Sequence, residues 1–110
     1  MNLTVEKSPL FDSDVTGQFG WYLDEAGAEL AWRFFSAVDA TITKLARQPD
    51  IGRVRRFQNP ALQGLRSFRV EPPFDRLLIF YRVTEDKLQL WRLMHGARDL
   101  PRRLVEPTES

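Results

Sequence analysis

The stretch Leu3-Thr4-Val5-Glu6-Lys7 alternates apolar and polar side chains, the period-2 pattern of a short half-buried strand. At Ser8-Pro9 the period changes. Ser can cap a helix and Pro suits its first position, and Phe11, Val15, Phe19 and Leu23 then recur at intervals of four as an apolar stripe. Asp12 and Asp14 fall in the first turn, where the helix dipole favours negative charge. Asp24-Glu25-Ala26-Gly27 interrupts the stripe. A second helix is predicted from Ala28 to Arg47, with Ala31, Phe35, Val38, Ile42 and Leu45 on its apolar face and Trp32 and Phe34 widening it. Lys44 and Arg47 complement its C-terminal dipole, and Pro49 disfavours helix at Gln48. Two helices joined this closely pack as an antiparallel hairpin.

Residues 49–65 contain two Pro and two Gly and read mainly as a loop, long enough to be functional or partly structured. Three strands follow: Arg66–Val70, Arg76–Val83 and Lys87–Met94. The middle one, Arg-Leu-Leu-Ile-Phe-Tyr-Arg-Val, is a nearly continuous apolar run and therefore a central strand. Short turns at 71–75 and 85–86 make the three an antiparallel meander. The order is β-α-α-β-β-β. An α+β fold is expected, the helical hairpin covering one face of the sheet and the first strand lying at an edge or near the middle. One domain over residues 1–104 is expected, followed by a polar tail at 105–110.

Composition adds limits. The chain has 110 residues and no cysteine, so disulfides and thiolate metal sites are excluded. No basic n-region precedes an apolar run at the start, and no apolar stretch approaches the roughly 20 residues of a membrane span, so a cytoplasmic protein is expected. The net charge of +1 conceals a polarity: residues 1–50 carry four basic and eight acidic residues, residues 51–110 twelve basic and seven acidic. Eleven of those twelve are Arg, whose planar fork matches carboxylates and phosphates. An acidic partner or nucleic acid is one explanation, a solvated charged surface the other.

In this order of elements, several stretches resemble the RelE/ParE superfamily, the toxins of type II toxin–antitoxin (plasmid stabilisation) systems of bacteria. They are Pro9 to Leu23, Leu45-Ala46-Arg47-Gln48-Pro49-Asp50-Ile51-Gly52-Arg53, Gly64-Leu65-Arg66-Ser67-Phe68, Leu78-Ile79-Phe80-Tyr81-Arg82-Val83 and Leu93-Met94-His95-Gly96-Ala97-Arg98-Asp99. The resemblance implies a growth-inhibiting toxin, neutralised by a cognate antitoxin, without cofactor or metal, and assembled as a toxin dimer or a toxin–antitoxin heterotetramer. It implies one of two activities. RelE-like members cut messenger RNA on the ribosome, whereas ParE-like members bind and poison DNA gyrase. Members that cut RNA resemble one another in an Arg at the head of the central-strand motif, where this chain has Leu78. The ending His-Gly-x-Arg-Asp also resembles the ParE-like branch. That branch is the expected one, with the messenger RNA endonuclease as alternative and an inactive antitoxin-binding remnant as a third reading.

Were the chain a nuclease, Arg66, Arg76 and Arg82 would hold phosphate and His95 would move protons. A plainer role for His95 is a strand-end imidazole bonded to a backbone carbonyl. Arg69 and Arg92 complete the predicted arginines of the sheet, some lining its uncovered face. Arg53, Arg55 and Arg56, beside Phe57, form a basic cluster suited to nucleic acid or simply to loop solvation. Trp21, Tyr22 and Trp32 extend beyond the helical stripes and are candidates, with the three loop arginines and Arg98, for capturing antitoxin or target.

Overall fold

The computed structural model describes residues 2–96 and Leu104. Strand β1 (Thr4–Lys7) leads through Ser8 into helix α1 (Pro9–Ala26). Ser8 caps it as its chemistry suggests, its Oγ accepting the Phe11 N–H at 3.0 Å. Gly27, at φ +94°, is the whole joint between α1 and helix α2 (Ala28–Arg47). Its N–H closes α1 on the carbonyls of Tyr22 and Leu23, and its carbonyl accepts the Ala31 N–H of α2. A side chain at this positive φ would be strained, so glycine belongs here.

The buried faces differ from the spacing-of-four stripes. Phe11 is buried, Val15 and Phe19 are half-buried, and Leu23 is 43% exposed. Each step of four residues overshoots a full helical turn by about 40°, so Leu23 has rotated about 120° from Phe11. On α2 the buried row is Ala31, Phe34, Val38, Thr41, Ile42 and Leu45; Phe35 is displaced onto the flank and is 44% exposed. Alternating steps of three and four keep that row against the sheet.

The predicted loop at 49–65 contains structure: 3-10 turns at Pro49–Ile51 and Pro60–Leu62, and a two-residue strand β2 (Arg53–Val54). The meander follows as β3 (Arg66–Arg69), β4 (Leu77–Thr84) and β5 (Lys87–His95). One five-stranded sheet results, in the order β1-β5-β4-β3-β2. β1 is an edge strand and runs parallel to β5; every other pair is antiparallel.

β1 pairs only with Lys87 to Leu90. Beyond that point α1 takes over the edge of β5. Ser8 donates its N–H to Leu90 O and its Oγ to Trp91 O, and the Asp14 carboxylate accepts the Leu93 N–H at 3.0 Å. The same carboxylate holds Arg92 in a bidentate pair, Nε to Oδ2 at 2.7 Å and Nη2 to Oδ1 at 2.9 Å. Both side chains are buried. Arg92 is therefore a core residue rather than part of an open basic face, and Asp14, which lies beyond the first turn of α1 where only Asp12 falls, is a buried ion partner rather than a charge placed for the helix dipole. β5 also carries one extra residue relative to β4: Phe80 faces Arg92 and Tyr81 faces Leu90, leaving Trp91 as a bulge.

Two apolar clusters close the fold. The larger lies between helices and sheet and includes Phe11, Phe34, Leu45, Ile79, Tyr81 and Leu90. The smaller lies on the other sheet face, where Phe80 packs with Leu62, Leu65 and Leu104, flanked by Phe57, Leu78, Trp91 and Met94. The uncovered face expected from the sequence is thus partly roofed by residues from the 49–65 connection. Phe80 and Leu78 alternate outward from a strand whose inward residues already face the helices, and they require apolar cover.

Candidate functional site

Two surfaces stand out, one on each side of the sheet. On the helical side, Phe19, Trp32 and Phe35 meet edge to face, with ring centroids 4.9 Å (Phe19–Trp32), 6.4 Å (Phe19–Phe35) and 5.9 Å (Trp32–Phe35) apart. Trp32 is 59% exposed. Phe35 continues into a groove of about 300 Å³ along the α1–α2 seam, floored by Phe11, Val15, Val38 and Ile42 and rimmed by Lys7, Asp12 and Asp39. Trp21, 56% exposed, packs on Tyr22, whereas Tyr22 itself wedges against Phe34 and Phe74 in the wall of the core. Burial raises the Tyr22 phenol above its ordinary pKa, against a smaller opposing effect of its hydrogen bond with Gln18. Of the three aromatic candidates, Trp32 is the one that joins an exposed cluster. Phe19 and Phe35 were missed, although Trp32, Phe34 and Phe35 lie on three different bearings of a helix and cannot all face the core.

On the sheet side, the arginines divide by what they hold. Arg82 spans the connection, Nη1 to Gln63 O and Nη2 to Ala61 O, both at 2.9 Å, with its guanidinium 5.1 Å from the Trp91 ring. Arg55 donates Nε to Ser67 Oγ at 2.8 Å and lies 5.7 Å from the Phe80 ring. Burial, and secondly the charge of Arg53, pull the Arg55 pKa below its ordinary value. Arg53 and Arg56 are exposed beside it on the β2 edge.

Arg66 lies directly opposite Tyr81, which packs on the helical side. It donates to Asp50 O (3.2 Å) and Gly52 O (3.0 Å) and stands 3.9 Å from the Asp50 carboxylate. Arg76 is exposed in the turn before β4, and His95 is exposed opposite Leu77 at the end of β5. The four residues a nuclease would use are consequently not gathered: Arg66 and Arg82 point to opposite faces, and among the described residues no carboxylate orients His95. Arg98 lies outside the described residues. Among those residues no three His, Cys, Asp or Glu side chains form a metal-binding group, and no helix is long and apolar enough to cross a membrane.

Tyr81 has an unforeseen part. Its phenol, buried in the core, donates to Pro49 O at 2.7 Å and accepts the Gly52 N–H at 2.9 Å. A Cβ at Gly52 would overlap the phenol oxygen. Burial raises the pKa of this group. The Pro49-Asp50-Ile51-Gly52 turn is thus moulded around Tyr81 and fixes where the basic edge begins.

A family model described as the ParE toxin of the type II toxin–antitoxin system parDE matches residues 5–100. The chain belongs to the ParE toxin family. Among solved structures, this ParE-family chain is similar to one from the chromosomal ParDE toxin–antitoxin system of P. aeruginosa, with a TM-score of 0.70 and 17% identity over 86% of this chain and 97% of that one. It is also similar to a chain of the RelBE2 toxin–antitoxin complex of Mycobacterium tuberculosis, with a TM-score of 0.59 and 17% identity over 86% of this chain and 99% of that one. At such identities the likeness concerns the fold, the RelE/ParE-like α+β arrangement. Among curated protein sequences none matches.

Proposed function

We propose that this ParE-family toxin arrests growth in the cytoplasm by binding DNA gyrase rather than by cutting RNA. The observation that carries the reading is the placement of the arginines. Phosphate cleavage requires several charged and proton-moving groups aimed at one reacting phosphate. Here Arg66 and Arg82 lie on opposite faces, each committed to backbone carbonyls. A binding poison needs no such convergence.

A cognate antitoxin silences the toxin by laying an apolar segment along the α1–α2 seam. The exposed rings of Trp32 and Phe35 and the adjoining groove supply the desolvatable anchors that such binding uses. The P. aeruginosa and M. tuberculosis neighbours come from toxin–antitoxin systems, which supports an antitoxin partner here.

The test is a pair of assays on purified toxin. Gyrase supercoiling should fall on addition of toxin, while ribosomes programmed with message should show no new cuts. New cuts with supercoiling intact would establish the RelE-like alternative, which the RelBE2 likeness keeps in view. Neither effect would leave an antitoxin-binding remnant.

A further inference from the structure

We infer that the sheet face turned away from the helices carries a contact surface for the phosphate backbone of double-stranded nucleic acid. Four guanidinium groups share that face. Arg53 lies opposite Ser67, Arg69 lies opposite Leu78, Arg55 bonds the Ser67 hydroxyl, and Arg82 follows on β4. Ser67, Phe80 and Leu78 all belong to the outward-facing rows, and directly paired residues share a face. From the Arg69 row to Arg82 is four residues along β4, about 13 Å, enough for several phosphates of a duplex.

Among the described residues, no carboxylate forms an ion pair with any of the four: the ion pairs present are Arg66–Asp50, Lys87–Glu6 and Arg92–Asp14. Among the described residues, therefore, none of the four charges is matched by a carboxylate, whereas an ordinary solvated surface intersperses both signs. Two of the four are already immobilised. Arg55 and Arg82 lie over aromatic rings and use only some of their five donors on the protein, so the entropy of ordering them is spent in folding.

The partner is a duplex because the face offers phosphate contacts without stacking platforms. Single-strand binders set exposed rings between their cations. Here Phe80 is fully buried, Phe57 is half-buried in the same cluster, and Trp91 is capped by Arg82. The exposed rings, Trp21, Trp32 and Phe35, belong to the helices instead. Contacts to phosphate alone position a protein without reading sequence. This inference does not depend on gyrase being the target, because the toxin itself makes the contact.

The experiment titrates purified full-length toxin into end-labelled DNA duplexes of about 20 base pairs, and into single strands and RNA duplexes of the same length, between roughly 50 and 200 mM salt. Fluorescence anisotropy should show DNA-duplex binding indifferent to sequence, at least about tenfold tighter than to single strands, with log affinity falling against log salt at a slope of about −3.6 for four phosphate contacts. Arg53→Gln and Arg69→Gln should each weaken binding across all sequences and reduce the slope by about 1. Arg33→Gln, an equal loss of charge on α2, should change neither. Single strands bound as tightly as duplex, or equal weakening by Arg33→Gln, would overturn the proposal, as would no binding at the lowest salt. Preference for the RNA duplex would keep the phosphate surface and change its source. Supercoiling, measured separately, reports on the gyrase reading alone.

Discussion

Toward the helices, the sheet buries Ile79, Tyr81, Leu88 and Leu90 under Phe11, Phe34 and Leu45. At the β5 edge, where Arg92 lies opposite Phe80, its enclosed charge is matched at 2.7 Å by Asp14 of α1. On the opposite face a smaller cluster around Phe80 is roofed by Leu62 and Leu65, and the roof is tied down by Arg82 reaching the carbonyls of residues 61 and 63. The β5 edge uses its ion pair to finish a core. The outer face uses arginines as clasps. The same residue type therefore does opposite work in the two places, and its role follows from the partner: a buried carboxylate in one case, backbone carbonyls and aromatic rings in the other.

The largest effect should come from the enclosed side. Asp14→Ala leaves Arg92 buried without its carboxylate and the Leu93 N–H without its acceptor. Breaking a buried pair from one side costs about 3–5 kcal/mol, whereas replacing both partners with apolar residues can be nearly neutral. Urea unfolding of Asp14→Ala and of Asp14→Leu with Arg92→Met should show the loss in the first and recovery in the second. A loss below about 1 kcal/mol in the single variant would make this pair no different from a surface one. Next comes Leu62→Ala on the outer face. If the roof is a genuine second core, the change costs about 2–4 kcal/mol; a mere loop would lose under about 0.5 kcal/mol.

The element order was legible: the strands, the two helices and the meander all stand in the sequence, as does the Ser8 cap, although β1 is exposed throughout and the buried rows of the helices do not follow the spacing of four. What was not legible depends on the third dimension. Arg92 reads like any strand arginine, since its partner Asp14 is 78 residues away and a bulge at Trp91 shifts the register around it. β2 has only two residues and exists because β3 offers an edge, so no local pattern announces it. The site candidates fared by the same rule. Trp32 could be picked out as surplus to the buried stripe. The sorting of Arg55, Arg66 and Arg82 into clasps required the carbonyls and rings that they meet. The Pro49-Asp50-Ile51-Gly52 segment was visible as a family likeness, but its physical reason, the Tyr81 phenol, was not.

Tyr81 links the two sides, standing in the helical core while shaping the turn that precedes the basic edge. Tyr81→Phe leaves Pro49 O and the Gly52 N–H without this partner and should cost about 1–3 kcal/mol at neutral pH. The alkaline limb gives a second reading. A phenol whose folded pKa is raised favours the folded state fully below its unfolded value and loses that contribution as pH rises through the folded one. Above about pH 10 the wild type should therefore lose stability with a steeper slope than Tyr81→Phe. Parallel slopes in denaturant titrations would mean that the phenol ionises without regard to folding.

Arg82→Ala should have the smallest effect on global stability and separates the faces most sharply. Its hydrogen bonds are exposed, so the net loss should be about 0.5–1 kcal/mol. The local consequence should be larger than the global one. With the carbonyls of residues 61 and 63 released, amide exchange in the 57–65 segment should accelerate, while amides of β4, β5 and α2 keep their protection. Segment-resolved hydrogen exchange reads both at once. Acceleration confined to 57–65 fits a clasp that shapes a surface without holding up the core. Acceleration spread through β4 and β5 would mean that the outer cluster and the helical core unfold as one cooperative unit, and the distinction between the two faces would then lie in their chemistry rather than in their stability.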